Sequence, residues 1–365
     1  MSGPLAGLRV VEMAGIGPAP LVGQFLADLG AEVTLIARKS GKAHPADINN
    51  RGKRSVALNL KHPEGVAAAM ALIAGADVLI EGFRPGVMER MGLGPAECAD
   101  RNPGLVYGRM TGWGQDGPMA QMAGHDINYL GLTGFLHAIG RADDVPTPPI
   151  NIGADYAGGT MFLLFGIMAA LWERQTSGKG QVIDAAMVDG ASALMALVHS
   201  MIAMGRWSEA RESNLLDGGA PHYRSYACAD GKFIALGPLE PQFFAEMIAR
   251  AGIDDAQRAD QTGPARWPAR REEYAAIFRQ KTRDEWTAIF DGTDACATPV
   301  LTWSEAPDHP HLAARQTFVV RNGVTQAAPA PRFSRTPADA PRPPPAAGQH
   351  TGAALRATGY DEDTI

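Results

Sequence analysis

The chain lacks any uninterrupted apolar run long enough to cross a bilayer as a helix. Its longest, Met161 to Trp172, falls short of the about 20 residues a span needs and reads as a buried helix. Cysteine is scarce, and Cys98, Cys228 and Cys296 are odd in number and scattered. That excludes a disulfide framework and a paired-cysteine metal site, and it suits a reduced, cytoplasmic setting. Basic residues are not in excess: 33 Lys and Arg stand against 39 Asp and Glu, a net charge of −6. Such a balance argues against a dedicated nucleic-acid binder. The opening Met1-Ser2-Gly3-Pro4 lacks the basic-then-apolar order of a signal peptide. There is no internal repeat, coiled-coil heptad, G-x-S-x-G elbow or Walker loop. At 365 residues, with 45% hydrophobic and 20% charged, the composition is that of a soluble globular protein of about two domains.

What is present begins with alternating strands and helices. Leu8 to Met13 reads as a buried strand, Gly15-Ile16-Gly17-Pro18 as a turn, and Leu21 to Leu29 as an apolar helix closed by Gly30. Glu32 to Ile36 is a second strand, so the opening is a Rossmann-like unit. The glycine turn only half matches a dinucleotide fingerprint. The second strand ends in Arg38-Lys39, where an NAD enzyme needs an acid for the ribose hydroxyls. Basic groups there suit a ribose phosphate, which both NADP and coenzyme A carry. A basic segment, Arg51, Lys53 and Arg54, precedes the strand Ser55 to Leu60; its plain reading is a solvated loop. Strands at Asp77 to Ile80, Leu105 to Met110 and Val182 to Asp184, with helices between, predict a parallel, doubly wound sheet.

Two stretches carry the candidate chemistry. In Gly124-His125-Asp126-Ile127-Asn128-Tyr129, apolar spacing starts behind a glycine hinge, as at the first turn of a helix. Free N–H groups and the positive dipole end there suit a developing oxyanion, and a histidine such as His125 can serve as general acid or base. The same residues read equally as a packing histidine and a helix cap. Asp155 stands just before the helix Met161 to Trp172 and is, by position, a helix cap or a catalytic carboxylate. A further helix carries Met187, Met195, Met201 and Met204, a stripe that is plain core or an adaptable wall for a greasy substrate. Glu240 is held between Pro238 and Pro241 at a strand-to-helix corner. The domains expected are 1–205, a large Rossmann-like domain; 206–220, a linker; 221–310, a small α+β domain; and 311–365, a linker and proline-rich arm returning to the large domain.

These features, in order, resemble the family III CoA-transferases. They run from the strand near Leu8 and the Arg-Pro-Gly turn at Arg84 to the Gly124–Tyr129 stretch and Asp155. Gly218-Gly219-Ala220-Pro221, Leu239-Glu240 and Pro331-Arg332-Phe333-Ser334 continue the match. The resemblance implies an α/β fold: a Rossmann-like large domain with a parallel sheet, a smaller α+β domain, and two chains interlocked as a homodimer. It further implies catalysis by His125 and Asp155, with Glu240 arriving from the partner chain. Arg38, Arg54, Ala57, Leu58, Asn59, Leu60, Arg84, Gly124, Asp126, Ile127, Asn128 and Tyr129 would then line the substrate and CoA site. Within the family the likeness is to members that racemise 2-methylacyl-CoA thioesters. Inverting that carbon requires one base on each face and no metal or other cofactor. The alternative implied is CoA transfer with Asp155 as nucleophile, although the glycine run common in transferases is absent. The substrate is a small-molecule acyl-CoA; no nucleic acid and no membrane span are expected.

Overall fold

The computed structural model describes residues 2–39, 44, 46–254 and 261–361. Short Val-, Ile- and Leu-rich runs form the first strands, β1 (Arg9–Met13), β2 (Glu32–Ala37), β3 (Arg54–Ala57) and β4 (Val78–Glu81). They are joined by β5 (Val106–Thr111) and β6 (Val182–Ala186) in one parallel sheet of order β3-β2-β1-β4-β5-β6. Helices α1 (Pro18–Asp28), α2 (Pro63–Ala74), α3 (Val87–Arg90) and α4 (Pro95–Arg101) connect the first five strands. Helices α5 (Asp126–Leu132) and α6 (Met161–Ser177) precede β6, and α7 (Met187–Leu194) follows it. Proline opens α1, α2 and α4, where a missing N–H leaves no intrahelical bond unmade. The chain runs outward from β1 to β3, then returns to lay β4 on the other side of β1. That reversal leaves a crevice at the carboxyl ends of β1 and β4, the place where α/β sheets bind ligands.

The chain packs as two compact units. The larger comprises Met1–Thr133, Pro149–Leu194 and Arg315–Ile365, and the smaller Gly134–Pro148 and Met195–Ala314. The boundary expected near 205 therefore falls at 194–195. There α7 ends and α8 (Ala196–Ala203) begins, so the single methionine-bearing helix expected is two helices broken at Met195. Residues 134–148, assigned from sequence to the large domain, belong to the smaller unit. They are tied in by Glu212, which pairs with Arg141 at 2.8 Å and accepts from Ala142 N at 3.1 Å.

In the smaller unit, β7 (Arg224–Ala227), β8 (Phe233–Leu236) and β9 (Ala297–Val300) form an antiparallel sheet in that order. Helices α9 (Pro241–Ala251), α10 (Trp267–Phe278) and α11 (Arg283–Phe290) share a core with it, built on Tyr226, Phe244, Tyr274, Phe278, Trp286 and Phe290. Beyond α12 (Pro310–Ala314), the hairpin β10 (Phe318–Arg321) and β11 (Val324–Ala327) returns the chain to the larger unit. A proline-rich stretch then leads to α13 (Thr351–Ala357), whose entry lies along β3. Ser55 N donates to His350 Nδ1 at 3.1 Å, Ala57 N to Thr351 Oγ1 at 3.0 Å, and His350 N to Ser55 O at 2.9 Å. The open edge of β3 is thereby closed.

Two expectations are corrected. Helix α6 is not buried all round: Leu163, Ile167 and Ala170 face the sheet, while Met161, Phe165, Met168 and Trp172 are exposed. The helical stretch Ile152–Ser177 would pass as a membrane span by length and composition, yet α6 packs on β5 and β6 as a core helix. A uniformly apolar helix does not reveal which face meets the sheet. The basic segment is not a solvated loop either. Arg51 and Lys53 are 2% and 4% exposed, Arg51 bonding Asp28 at 2.6 Å and Lys53 bonding Glu12 at 2.8 Å. Charges so deeply placed persist only when paired and hydrogen-bonded. Lys53 also donates to Pro20 O at 2.9 Å, and Arg51 to Gln326 Oε1 at 2.6 Å.

Candidate active site

A cleft of about 460 Å³ opens at the carboxyl ends of β1, β4 and β5, where the sheet order reverses. Its walls come from Gly17 and Pro18 after β1, Gly82 to Pro85 after β4, and Met110 to Trp113 at the end of β5. Gly124, His125, Tyr129, Asp155 and Met187 also line it. The candidate bases are thus brought together by elements that end or begin at one rim of the sheet.

His125 is the residue from which α5 starts, and its side chain is exposed. Its own N–H donates to Asn128 Oδ1 at 3.0 Å, while its carbonyl accepts from Asn128 N at 2.8 Å. Asn128 therefore fixes the imidazole's backbone rather than facing the cleft. Tyr129 donates its hydroxyl to Gly124 O, and its ring meets Trp113 edge-on at 4.7 Å. A Cβ on Gly124 would stand 2.8 Å from both rings, so only glycine lets the loop into α5 lie this close. Burial, with Asp155 and Asp126 adding to it, pushes the Tyr129 phenol up to about 12; it stays a neutral donor.

Asp155 lies inside a π-helix, Ile152–Thr160, and not at the cap position expected from sequence. Such wide turns cluster at functional sites. This one fits because its neighbours are small: a Cβ on Gly190 of α7 would stand 1.9 Å from Gly158 O, so the two backbones touch. Thr160 Oγ1 donates to Pro18 O at 2.9 Å, tying the wide turn to the loop after β1. Asp155 Oδ2 accepts from Asn151 Nδ2 at 3.3 Å and faces Gly17. Desolvation raises the Asp155 carboxyl above its ordinary range; the Asn151 bond lowers it, Asp126 raises it and His125 lowers it. His125 and Asp155 are therefore electrostatically linked, and Asp155 holds a proton more readily than a solvated aspartate.

The other residues singled out from sequence take varied positions. Arg84 is exposed at the mouth of the cleft, and Asp126 is buried beneath it. Ile127 is exposed on α5. Arg38 is exposed at the carboxyl end of β2. Leu58 and Leu60 are partly buried against the core between the sheet and α2, while Asn59 is exposed beside them. Arg54 begins β3 at the sheet's amino edge and is ion-paired with Glu32, away from the cleft. Glu240 is exposed in the smaller unit, on the residue that opens α9. Sequence reasoning missed Gly17, Phe83 and Trp113 as cleft residues, while Met187, weighed as core or substrate wall, does line the cleft. The glycine turn after β1 carried the signal, obscured because it was weighed only as a dinucleotide fingerprint.

A sheet of this order with a cleft at its reversal point, lined by His125 and Asp155, defines a Rossmann-like α/β protein with a candidate active site. The chain belongs to CoA-transferase family III, whose pattern matches residues 5–351. It is 45% identical to alpha-methylacyl-CoA racemase of Mus musculus over 363 residues, covering 99% of this chain and 95% of that protein. To alpha-methylacyl-CoA racemase of Homo sapiens it is 42% identical, with the same 99% and 95% coverage. Among solved structures it resembles a CaiB/BaiF family protein from Brucella suis, with a TM-score of 0.84 at 28% identity, covering 98% of this chain and 100% of that one. These full-length identities place the chain among the isomerases of the family.

Proposed function

We propose that the protein inverts the carbon next to the carbonyl of 2-methylacyl-CoA thioesters, using His125 and Asp155 as the two bases. One base removes the C2 proton from its face and the other returns a proton to the opposite face, with an enolate between. The supporting observation is that both groups line one cleft, with Asp155 shifted by burial toward holding its proton. A neutral His125 facing protonated Asp155, and the reverse pairing, then serve the two directions. The Asp126 and Ile127 N–H groups, the first two of α5, lack intrahelical acceptors and are available to the enolate oxygen; losing one such donor typically costs about 3 kcal/mol. This chemistry requires neither a metal nor an organic cofactor.

The proposal extends to a homodimer in which the partner subunit's Glu240 joins the Asp155 side. The exposed apolar row Met161, Phe165, Met168 and Trp172 on α6 supports burial of that face by a second copy. Arg38 is assigned to the CoA phosphate, and the three free cysteines suit the reducing cytoplasm. The deciding experiment incubates (R)- or (S)-2-methylacyl-CoA with enzyme in D₂O. Deuterium should enter C2 as optical purity is lost, with no second substrate. His125→Ala and Asp155→Ala should each slow inversion by roughly 10²–10⁴-fold. CoA transfer to an added carboxylic acid, with C2 untouched, would instead make Asp155 a nucleophile and overturn the proposal.

A further inference from the structure

Asp126 is the first residue of α5 and is only 4% exposed. An acid at a helix start ordinarily turns toward solvent and the helix's own N–H groups. This one reaches a different element: its Oδ2 accepts from Ala154 N at 2.7 Å and from Asp155 N at 2.8 Å. Both amides lie in the first turn of the π-helix, where no carbonyl of that helix can reach them. Charge-assisted bonds of this length are about twice as strong as neutral ones. Oδ1 has no hydrogen-bond partner among the described residues, so the carboxylate's bonding is directed wholly at the segment bearing Asp155. The backbone of Asp126 follows His125 directly. One buried side chain therefore joins the backbone carrying one base to the backbone carrying the other, 29 positions away.

We propose that Asp126 is a positioning residue for both bases, its carboxylate setting the spacing of His125 and Asp155 without touching substrate. The inference rests on the two-base reading and deepens it. Proton transfer from one face and return to the other requires both groups at fixed reach of one carbon. A displacement of about 1 Å in such a constellation costs on the order of 10²-fold in rate. The charged and polar groups near Asp155 are His125, Asp126 and Asn151, with the Tyr129 phenol close to both carboxylates. The Asp126 charge also helps to raise the Asp155 carboxyl, which gives the role a second signature.

The test compares wild type with Asp126→Ala and Asp126→Asn. Asparagine keeps an oxygen able to accept both amides but removes the charge; alanine removes both. In Asp126→Ala, hydrogen exchange at the Ala154 and Asp155 amides should quicken. Its kcat for inversion should fall on the order of 10²-fold, with KM changed by about twofold at most. In Asp126→Asn the amides should stay protected. In the direction where Asp155 takes the proton, the acidic limb of kcat/KM should move to lower pH. Wild-type kcat in the alanine variant, or a raised KM with kcat intact, would overturn the proposal. So would an unmoved acidic limb in the asparagine variant, which also decides the matter if the alanine variant fails to fold. If wild type itself places no deuterium at C2, the racemase reading fails. Amide exchange in the variants then still judges the anchor: unchanged protection in Asp126→Ala rejects it.

Discussion

Acid should weaken the smaller unit through one histidine. His222 is 1% exposed, with its ring edge-on to Phe244 and Trp267 at centroid distances of 5.2 and 6.2 Å. Its Nδ1 has no partner among the described residues, and burial pushes the imidazole from 6.5 down to about 4. Above pH 6.5 the ring is neutral in both folded and unfolded chains, and its burial carries no protonation penalty. Between 6.5 and 4 only the unfolded chain takes up the proton, so stability falls as pH falls. The gap of about 2.5 pH units corresponds to roughly 3 kcal/mol when complete, and to about 2 kcal/mol at pH 5. His222→Gln removes the titration, at some cost in packing at every pH. Hydrogen exchange of the β8 and α9 amides, compared between the two proteins at the same pH, cancels the intrinsic rates. From pH 7 to 5 the wild type should lose about 20-fold more protection than the variant. Equal losses in both, or none in the wild type, would refute the argument.

Lys53→Met should lower stability by about 3–5 kcal/mol, because it strands the buried Glu12 carboxylate; adding Glu12→Gln should restore part of this, and an unchanged melting temperature for the single variant would contradict it. Arg38→Ala should raise KM for acyl-CoA and leave kcat nearly intact, as loss of uniform binding does. Arg54→Ala should leave KM alone, since Arg54 is held by Glu32 at the amino edge of the sheet. Steady-state kinetics showing equal KM increases for the two would mean that the CoA moiety lies at the other end of the strands.

Apolar runs separated by glycine and proline turns were enough to find the six strands, because a sheet covered on both faces reads as continuous hydrophobic segments. His125 and Asp155 stood out as titratable groups beside helix starts, and the structure brings both to one cleft. Other features depend on contacts between distant positions and could not be read locally. Arg51 and Lys53 read as a solvated run because Asp28 and Glu12, their partners, are 23 and 41 positions away. The π-turn around Asp155 fits because α7 presents Gly190 to Gly158; locally, Asp155 could be read only as standing at the start of the helix that follows. Asp126 read as a binding residue because nothing in the sequence shows its carboxylate reaching the Asp155 amide. Hydropathy made α6 a buried helix, since apolar composition carries no record of which face the sheet covers.

The closure of β3 by the entry to α13 also bears on how the molecule is made. Ser55 and His350, which bond across that edge, are 295 positions apart. At ribosomal speeds of roughly 5–20 residues per second, the strand emerges some 15–60 s before its cover. For that interval the nascent sheet has an unpaired outer edge, a template for pairing with another chain. The smaller unit, mostly drawn from 195–314, has its whole sequence available before that seal exists. Until the stretch bearing His350 arrives, the larger unit is without that cover for the outer edge of β3.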